Sequence, residues 1–496
     1  MSKNITKYLY EEMDKQAGLE HTFHRTKIVA TVGPACDTYD KLLELVKAGV
    51  NVFRLNFSHG AHEDKLAIIG HIRKINEREP YNICILGDLQ GPKLRVGEIE
   101  NGSLPVSVGD ILTFTNEKCI GNKEKIYVSY PNLAGDVKIG NKILIDDGKL
   151  EVQVTEITEK GDVKVVVTMP GVLLSKKGVN LPDTKISLPA LTKKDLADLD
   201  FMIEHALDWV ALSFVRKVDD LKIIRDILAE RKSKCKVMAK IEMPEAIVNL
   251  REIILESDGI MIARGDLGVE IPVEQVPLIQ KDIIRKCLHR GKPVIVATQM
   301  MESMMDRIKP NRSEATDVAN AVLEGADAVM LSGETAMGQH PVLVVQTMLK
   351  IILEVEKKEY RYNREEDLKP QPHSPSFHSD AICYNACKIA RDVNADALIA
   401  MTQSGYTAFV VSSYRPKSPL YIFTKEKSLV NQLSLSWGVR PFFYSEEENI
   451  DQIIFDQIQI LKGRGFLKTG DTVVNTGSLP VHLHLPTNLL KITKVE

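Results

Sequence analysis

The amino-acid sequence lacks several patterns that would assign it to a particular class of protein. No apolar stretch is long enough to cross a bilayer, and the opening residues MSKNITKYLYEEMDKQ have no apolar core of a secretion signal. Seven scattered cysteines, with no C-x-x-C, argue against a disulfide framework and a thiolate zinc site. The net charge is −3 with no run of five like charges, so we expect no nucleic-acid and no membrane partner. We therefore expect a cytoplasmic protein.

Short apolar runs that alternate with amphipathic segments are the main repeating feature of the chain. At 496 residues and 44% hydrophobic composition, about three domains are expected. The runs are rich in Val, Ile and Leu, as is typical of strands buried on both faces. They begin at Ile28, Val52, Ile83, Trp209, Val237, Ile260, Val294 and Ala328. Eight such units predict an α/β fold built on a (β/α)₈ TIM barrel, whose site lies at the carboxyl ends of the strands.

Two interruptions predict the domain organisation. Between Ile83 and Trp209 the spacing exceeds one strand–helix unit by about 95 residues, enough for an inserted domain. Short β-type runs between Gly and Asp turns predict that this insert is a small antiparallel β domain, able to close over the barrel as a lid. A proline-rich segment beginning at Glu365 marks the second boundary. The predicted divisions are a lead at 1–24, the barrel at 25–89 and 188–364, the insert at 90–187, and a C-terminal α/β domain at 365–496.

Helix start and stop signals accompany the strands. Thr192 with Asp195 three residues later predicts a capping box. Ser313 is predicted to cap a helix that ends at Gly325.

Two strand ends in the stretch Val237–Glu270 carry opposite charges. Lys240 and Glu242 share one face of the first strand because strand side chains alternate. Asp266 follows the second strand, next to the bare backbone of Gly265. One cation and two carboxylates suit a Mg²⁺ ion and an anionic substrate. A structural ion pair between Lys240 and either carboxylate would use the same residues, so this stretch alone leaves both interpretations open.

The other strand ends are polar as well. Arg54, Asn56 and Ser58 share one face of the second strand, which suits phosphate oxygens and a cation. Further polar groups follow the remaining strands, namely Asp88, Lys217, Thr298, Ser332 and Glu334. Convergence of so many anion-binding and metal-binding groups favours a catalytic site over separate structural roles.

Nine motifs resemble those of the pyruvate kinase family, in order and in spacing. They are ATVGPA, RLNFSHG, GDLQGPKLR, KGVNLP, SFVRK, KIE, ARGDLGVE, ATQMMESM and VMLSGETA. The resemblance implies a (β/α)₈ barrel with an inserted small β-barrel lid domain and a C-terminal α/β regulatory domain. It also implies an enzyme that transfers the phosphoryl group of phosphoenolpyruvate to ADP, giving pyruvate and ATP. In that reaction, the last step of glycolysis, a Mg-stabilised enolate forms.

The resemblance also implies roles for individual residues. Glu242 and Asp266 would hold Mg²⁺ or Mn²⁺, and the N–H groups of Gly265 and Asp266 would bind the substrate carboxylate. Lys240 and Arg54 would bind the phosphoryl group that is transferred.

The remaining roles concern protonation, the nucleotide and assembly. Thr298 would lie beside the enolate near the proton donor, and Ser332 with Glu334 would orient a water that relays the proton. The residues implied in ADP or ATP binding are Asn56, Phe57, Ser58, His59, Arg95 and Lys217. A homotetramer is expected, with the helix near Ser313 as the place to look for an interface.

The chain departs from the family at a monovalent-cation site. Members that need K⁺ hold it at positions matching Asn56, Ser58, Asp88 and the carbonyl of Leu89. Where those members carry glutamate, this chain has Lys93. We predict that the ammonium supplies the charge and that K⁺ is not required. The alternative, in which Lys93 points to solvent and the K⁺ site survives, stays open.

A second departure concerns regulation. The hydroxyl-rich and glycine-containing loop Thr402–Thr407 can bind a phosphorylated effector. The late loop at residues 476–484 contains no Arg, Lys or Trp, which argues against activation by a sugar bisphosphate. Simple packing of the loop is the alternative.

Two other functions remain compatible with parts of the pattern. A Mg²⁺-dependent aldolase or lyase would use the metal carboxylates but not Arg95, Lys217 or a lid. A metabolite-binding protein without activity would keep the pocket, although the intact catalytic positions argue against it.

Overall fold

The structure is a computed structural model that describes residues 23–358, 362–364, 368–372, 374–446, 449–479 and 485–496. The predicted lead at 1–24 lies outside these residues except for Phe23 and His24. The proposed domain boundaries stay predictions.

The strands and helices are numbered here in chain order. The strands are β1 Lys27–Thr31, β2 Val52–Asn56, β3 Cys84–Asp88, β4 Ser103–Val106, β5 Ile111–Thr115, β6 Ile126–Tyr127, β7 Lys142–Ile145, β8 Leu150–Ile157, β9 Val163–Met169, β10 Gly171–Leu174, β11 Val179–Asn180, β12 Trp209–Leu212, β13 Lys236–Ile241, β14 Gly259–Ala263, β15 Val294–Ala297, β16 Ala328–Leu331, β17 Ala397–Met401, β18 Leu420–Thr424, β19 Val439–Phe443, β20 Thr472–Gly477 and β21 Leu489–Lys494. The helices are α1 Tyr39–Ala48, α2 His62–Arg78, α3 Leu133–Asp136, α4 Lys193–Glu204, α5 Val218–Glu230, α6 Pro244–Val248, α7 Leu250–Glu256, α8 Arg264–Glu270, α9 Val276–His289, α10 Arg312–Glu324, α11 Gly333–Ala336, α12 Pro341–Glu356, α13 Phe377–Asp392, α14 Tyr406–Ser413, α15 Lys427–Leu433 and α16 Ile450–Gly463.

Eight parallel strands close into a barrel, in the order β1-β16-β15-β14-β13-β12-β3-β2. Each of the eight apolar runs recognised in the sequence forms one of these strands, so the predicted TIM barrel is confirmed. The strands are buried along nearly their whole length because helices cover their outer faces. Their carboxyl ends therefore meet at one mouth.

Two helix starts test the capping signals. At α4 the predicted capping box is present, since Thr192 Oγ1 accepts from Asp195 N at 3.1 Å and Asp195 Oδ2 accepts from Thr192 N at 2.8 Å. The predicted Ser313 cap is wrong. Helix α10 begins at Arg312, and Asn311 occupies the cap position, with its N–H donating to Glu314 at 2.7 Å. Asn311 lies three residues before Glu314, so it forms the better capping pair.

The insert between β3 and β12 differs in part from the prediction. Its six-stranded sheet, in the order β11-β7-β8-β9-β5-β6, is mixed, because β5 and β6 run parallel, and β4 pairs with β10 separately. Single bridges connect Arg95 with Gly178 beside β11 and Val96 with Val128 beside β6. Residues 95 and 96 thus bridge the two edge strands of the sheet, β11 and β6, where a closed small β-barrel would have a further strand.

The C-terminal domain is an α/β unit with one five-stranded sheet, in the order β19-β18-β17-β20-β21. The strands β17, β18 and β20 were predicted, and they are parallel neighbours. Edge strands β19 and β21 were not predicted; β21 pairs antiparallel with β20. None of the described helices is both long and apolar enough to cross a membrane.

A buried ion pair fastens the C-terminal domain to the barrel. Arg415 is 1% exposed, and its Nη2 contacts Asp327 Oδ2 at 3.0 Å and donates to Gly325 O at 2.7 Å. Burial lowers the pKa of Arg415, and Asp327 opposes that shift. Asp327 also accepts from Val294 N at 3.0 Å and Trp437 N at 3.1 Å. One carboxylate therefore joins β15, the turn before β16 and the C-terminal domain.

Replacing Arg415 with methionine should lower the free energy of unfolding by about 3–5 kcal/mol, because the buried Asp327 carboxylate loses its cation. Equilibrium unfolding in urea measures the change. The matched control is Lys41→Met, which removes a half-exposed pair with Glu44 and should cost less than about 1 kcal/mol. Equal losses for the two variants would contradict this account.

Candidate functional site

A buried network of charged side chains joins the carboxyl ends of β2, β3 and β13. Asp88 lies between two cations, since Arg54 Nε is 2.6 Å from its Oδ2 and Lys240 Nζ is 3.2 Å from its Oδ1. Lys240 Nζ also lies 2.9 Å from Glu242 Oε1. Asp88 and Glu242 are each 1% exposed, so water screens these charges little. The structure thus brings four of the predicted residues together.

Two hydroxyl groups that sequence reasoning did not assign hold this network in place. Lys240 Nζ donates to Ser213 Oγ at 2.7 Å, and Ser213 Oγ donates to the carbonyl of Leu89 at 2.8 Å. Arg54 Nη1 donates to Thr31 Oγ1 at 3.0 Å. The Leu89 carbonyl, predicted as a K⁺ ligand, therefore already accepts a hydrogen bond.

The protonation states follow from the pairing. Burial lowers the pKa of Lys240, but Asp88 and Glu242 outweigh it and hold that pKa above its ordinary value. Burial raises the pKa of Asp88, but Lys240 and Arg54 outweigh it and hold that pKa low. The Lys240 ammonium and the Asp88 carboxylate are therefore both charged at neutral pH.

Glu242 is oriented by an unusual backbone conformation. Phe214, just after β12, has φ +55°, a left-handed value that costs energy for a residue with a side chain. In this conformation Phe214 N donates to Glu242 Oε2 at 2.8 Å. The sequence does not predict this role of Phe214, because phenylalanine at this position gives no indication of a left-handed backbone angle. The hydrogen bond fixes Oε2 of Glu242, while Oε1 faces Lys240.

The donor set around Glu242 fits a hard divalent cation. The buried Glu242 Oε1 is paired with Lys240 Nζ at 2.9 Å, so a bound cation would share this oxygen with the lysine. Burial raises the pKa of Glu242; Lys240 opposes this shift, and the neighbouring Asp266 carboxylate adds to it. Within the described residues no group of three or more His, Cys, Asp or Glu side chains could hold a metal ion. Two carboxylates are enough for Mg²⁺, which keeps several of its waters.

Asp266 is engaged by the insert. Lys93 Nζ donates to Asp266 Oδ1 at 3.4 Å, and the Lys93 side chain is 30% exposed. The alternative in which Lys93 points to solvent is therefore not what the structure shows. An ammonium from the insert reaches one of the two proposed metal ligands.

Thr298 and Gly265 form a second strained point at the mouth. Thr298 has φ +69°, a rare conformation for a β-branched residue. Its Oγ1 accepts from Gly265 N at 2.7 Å and donates to Ala297 O at 2.6 Å. A Cβ at Gly265 would lie 3.3 Å from Thr298 Oγ1, so glycine permits this close approach. The N–H predicted to bind a substrate carboxylate is held by Thr298 here.

The segment predicted to bind nucleotide, residues 56–59, is anchored through its carbonyl groups. Lys194 donates to Phe57 O at 2.5 Å, and Lys65 donates to His59 O at 2.6 Å. The Phe57 ring is buried against Phe201, so Phe57 can contribute only its backbone. Asn56 Oδ1 accepts from Ser58 N at 3.0 Å.

Of the other nucleotide candidates, Arg95 lies near this segment. Burial together with Arg95 and other nearby cations lowers the pKa of the exposed His59, so His59 and Arg95 share one positive region. Arg95 Nη1 donates to Lys176 O at 3.0 Å within the insert. Lys217 is exposed and pairs with Asp219 at 3.4 Å.

Ser332 and Glu334 form a separate buried group after β16. Glu334 Oε2 accepts from Ser332 N at 2.7 Å, and its Oε1 accepts from Met301 N at 3.1 Å. The Glu334 carboxylate thus holds the loop after β15 against the loop after β16.

A cavity of about 1540 Å³ surrounds the predicted effector loop in the C-terminal domain. Two N–H groups of the loop are satisfied locally: Gly405 N donates to Thr402 Oγ1 at 3.1 Å and Tyr406 N to Ser404 Oγ at 3.3 Å. Among the described residues, the cavity's lysine and carboxylate are Lys425 and Glu446. A lining so nearly neutral is a poor match for a ligand with two phosphates.

Comparison with known proteins gives the same family over most of the chain. Residues 23–345 match the family model described as pyruvate kinase, barrel domain, and residues 380–493 match pyruvate kinase, alpha/beta domain. A pyruvate kinase of Geobacillus stearothermophilus is 43% identical over 471 residues, covering 94% of this chain and 80% of that protein. A pyruvate kinase of Staphylococcus epidermidis is 42% identical over 470 residues, with the same two shares.

A solved structure agrees with the fold. The crystal structure of a pyruvate kinase from Cryptosporidium parvum superposes with a TM-score of 0.89 at 36% identity, covering 95% of this chain and 96% of that one.

Proposed function

The chain belongs to the pyruvate kinase family, and from that membership we propose how its residues carry out the family's reaction. The chain transfers the phosphoryl group of phosphoenolpyruvate to ADP, giving pyruvate and ATP, the last step of glycolysis. The observation that best supports the assignment of residues is the buried network of Arg54, Asp88, Lys240 and Glu242. It presents charged donors to a mouth where phosphoryl transfer needs positioning and neutralisation of charge.

Binding of phosphoenolpyruvate uses the two cations and the start of α8. Arg54 and Lys240 bind the phosphoryl group, with Asp88 holding both side chains in place. The N–H groups of Gly265 and Asp266 bind the carboxylate. Gly265 N–H then exchanges its hydrogen bond with Thr298 Oγ1 for the substrate, which frees that hydroxyl. The bare glycine backbone allows the close approach.

Glu242 and Asp266 would hold Mg²⁺ or Mn²⁺, because carboxylate oxygens are the hard ligands that these ions prefer. When bound, the ion supplies positive charge that neutralises the substrate carboxylate and the enolate oxygen. Lys93, now paired with Asp266, would have to share or yield that carboxylate.

Transfer and protonation use opposite sides of the substrate. Lys240 lies along the path of the phosphoryl group and stabilises its charge. The nucleotide phosphates bind to Arg95, Lys217 and the segment 56–59. After transfer, the enolate is protonated at carbon near Thr298, and Ser332 with Glu334 orients the water that relays the proton. Formation of the ketone makes the overall transfer to ADP favourable.

A coupled assay tests the reaction itself. Purified protein with phosphoenolpyruvate, Mg²⁺ and ADP should release pyruvate, and omitting ADP should stop the release. Pyruvate release that does not need ADP would favour the lyase alternative. No release under either condition would favour a protein that only binds metabolites.

Lys240→Met should lower kcat at least about 10²-fold, because a preorganised charge in the path of the phosphoryl group is lost. Initial rates at saturating phosphoenolpyruvate and ADP measure it. The control is Lys236→Met on the same strand, whose ammonium lies over the Phe409 ring, 5.3 Å from its centroid. That variant should keep kcat within about twofold, well under the loss expected from a preorganised group. Near-normal turnover by Lys240→Met would remove Lys240 from the mechanism.

The monovalent-cation site is a point at which this chain departs from the family members that need K⁺. The Lys93 ammonium reaches Asp266, and the Leu89 carbonyl is occupied by Ser213. The first contact keeps an ammonium beside Asp266, which supports a site in which lysine supplies the charge that K⁺ supplies elsewhere.

Activity in buffer free of Na⁺ and K⁺ should be close to that with KCl, because the Lys93 charge is fixed in the protein. Lys93→Met should lose activity in the same buffer. Lys177→Met, which removes an insert lysine 2.9 Å from Asp146, is the control and should not. A rise of tenfold or more when KCl is added to the unmodified protein would reject the prediction. Such a rise means that the ion lowers the activation free energy by roughly 1.4 kcal/mol.

Regulation, assembly and location complete the proposal. The loop Thr402–Thr407 binds a phosphorylated effector in the cavity described above. Lys425, the lysine of the cavity among the described residues, favours an effector with one phosphate group over one with two. The chain assembles as a homotetramer and works in the cytoplasm, as expected from the family resemblance.

A further inference from the structure

The insert contacts the helix that carries Asp266 at two points. Lys93 reaches Asp266 at 3.4 Å, and Asn180 on β11 donates from Nδ2 to Glu270 Oε1 at 2.7 Å. Asp266 and Glu270 are four residues apart on α8, so they lie on one side of that helix. The insert therefore holds α8 near its start and at its last residue.

The environment of Glu270 shows that the second contact is specific. Glu270 is 6% exposed, and its Oε2 has no hydrogen-bond partner. Burial raises the pKa of Glu270 to about 7; the Asn180 hydrogen bond opposes that shift, and Glu245, Asp266 and Glu242 add to it. A buried carboxyl group with an unsatisfied oxygen costs stability. The C-terminal end of α8 does not need this carboxyl group as a cap, because Ile271 N already donates to Leu267 O there.

The space beside this contact is small. A cavity of about 30 Å³ is lined by Glu270, Asn180, Lys93, Arg216 and other residues at the junction of insert and barrel. That volume admits a single water, so the two bodies are packed closely at this junction. A shift of β11 would therefore change its contacts with α8.

A short path of backbone contacts leads from Asn180 to Arg95. Val179 N donates to Leu94 O at 3.0 Å, and Arg95 forms a bridge with Gly178. Val96 N donates to Lys177 O at 2.9 Å, and the Arg95 guanidinium donates to Lys176 O. The segment that ends at Asn180 thus holds the backbone on both sides of Arg95 and its guanidinium, while the N–H and carbonyl of Arg95 bond to Ser129.

We propose that Glu270 is a positioning residue for the nucleotide: by accepting from Asn180 it fixes the insert segment that holds Arg95 at the barrel mouth. The inference rests on the proposed binding of nucleotide phosphates by Arg95. Neither Glu270 nor Asn180 touches substrate; both act through Arg95. Loss of their contact lets the insert move away from α8, so ADP binding weakens while the phosphoenolpyruvate site on the barrel is left intact.

The test separates the KM for ADP from the other constants. Asn180→Leu keeps the size of the side chain but removes the donor, and it should raise the KM for ADP about tenfold, as expected for a lost hydrogen bond to a carboxyl group. The KM for phosphoenolpyruvate and kcat should stay within about twofold, since a general structural fault would change all three. Asn180→Ala is the second variant if Asn180→Leu does not fold.

Two further variants control for charge and for the insert as a whole. Glu270→Gln keeps an oxygen that accepts from Asn180, so it should retain the normal KM for ADP. Thr168→Val removes a hydroxyl–carboxylate hydrogen bond of 2.9 Å to Glu151 inside the insert, and it should leave all constants unchanged.

A double-mutant cycle decides whether the effect passes through Arg95. Arg95→Met should raise the KM for ADP by itself, and adding Asn180→Leu should then raise it little further. The inference is overturned if Asn180 variants leave the KM for ADP unchanged, or if their effect adds in full to that of Arg95→Met. If Arg95→Met alone has no effect, the nucleotide assignment under the proposed function fails, and this inference fails with it.

Discussion

The pairing of Asp88 with Arg54 and Lys240 is the interaction on which the site depends. An isolated buried cation would lose its proton or move to the surface, because nothing would offset the free energy of removing its charge from water. Asp88, at the end of β3, stabilises both cations, and the Ser213 and Thr31 hydroxyls accept further hydrogen bonds from them. The parallel barrel supplies this arrangement, since it delivers the ends of β2, β3 and β13 to one rim.

Strain at the same rim is consistent with a site that is held in place by the surrounding fold. Phe214 and Thr298 adopt left-handed backbone angles, and each uses that angle to make a contact that a relaxed strand end would not provide. Phe214 N–H holds one oxygen of Glu242, and Thr298 Oγ1 occupies Gly265 N–H. The barrel supports both conformations because the strands beneath them are packed on all sides. The insert adds a further layer, with Lys93 and Asn180 reaching the two carboxylates of α8.

The sequence predicts most of the fold and identifies candidate site residues that the structure brings together, but it does not reveal the residues that support them. Apolar runs locate the barrel strands because burial on both faces leaves a continuous pattern, and alternation along β13 places Lys240 and Glu242 together. Edge strand β19 was not predicted; it contains Pro441, which an edge strand tolerates. Ser313 was chosen as a cap where Asn311 lies closer to the true start. The roles of Phe214, Ser213 and Glu270 depend on backbone angles and on contacts between distant segments, which no local pattern reveals.

Diffraction from crystals grown with Mn²⁺ and phosphoenolpyruvate would test the account most directly, because the anomalous signal locates the ion without assumptions about the site. We expect one strong peak within about 2.0–2.3 Å of carboxylate oxygens from both Glu242 and Asp266. A peak that contacts neither carboxylate, or only one of them, would contradict the assignment of these two residues as the ligands on which the rest of the mechanism relies.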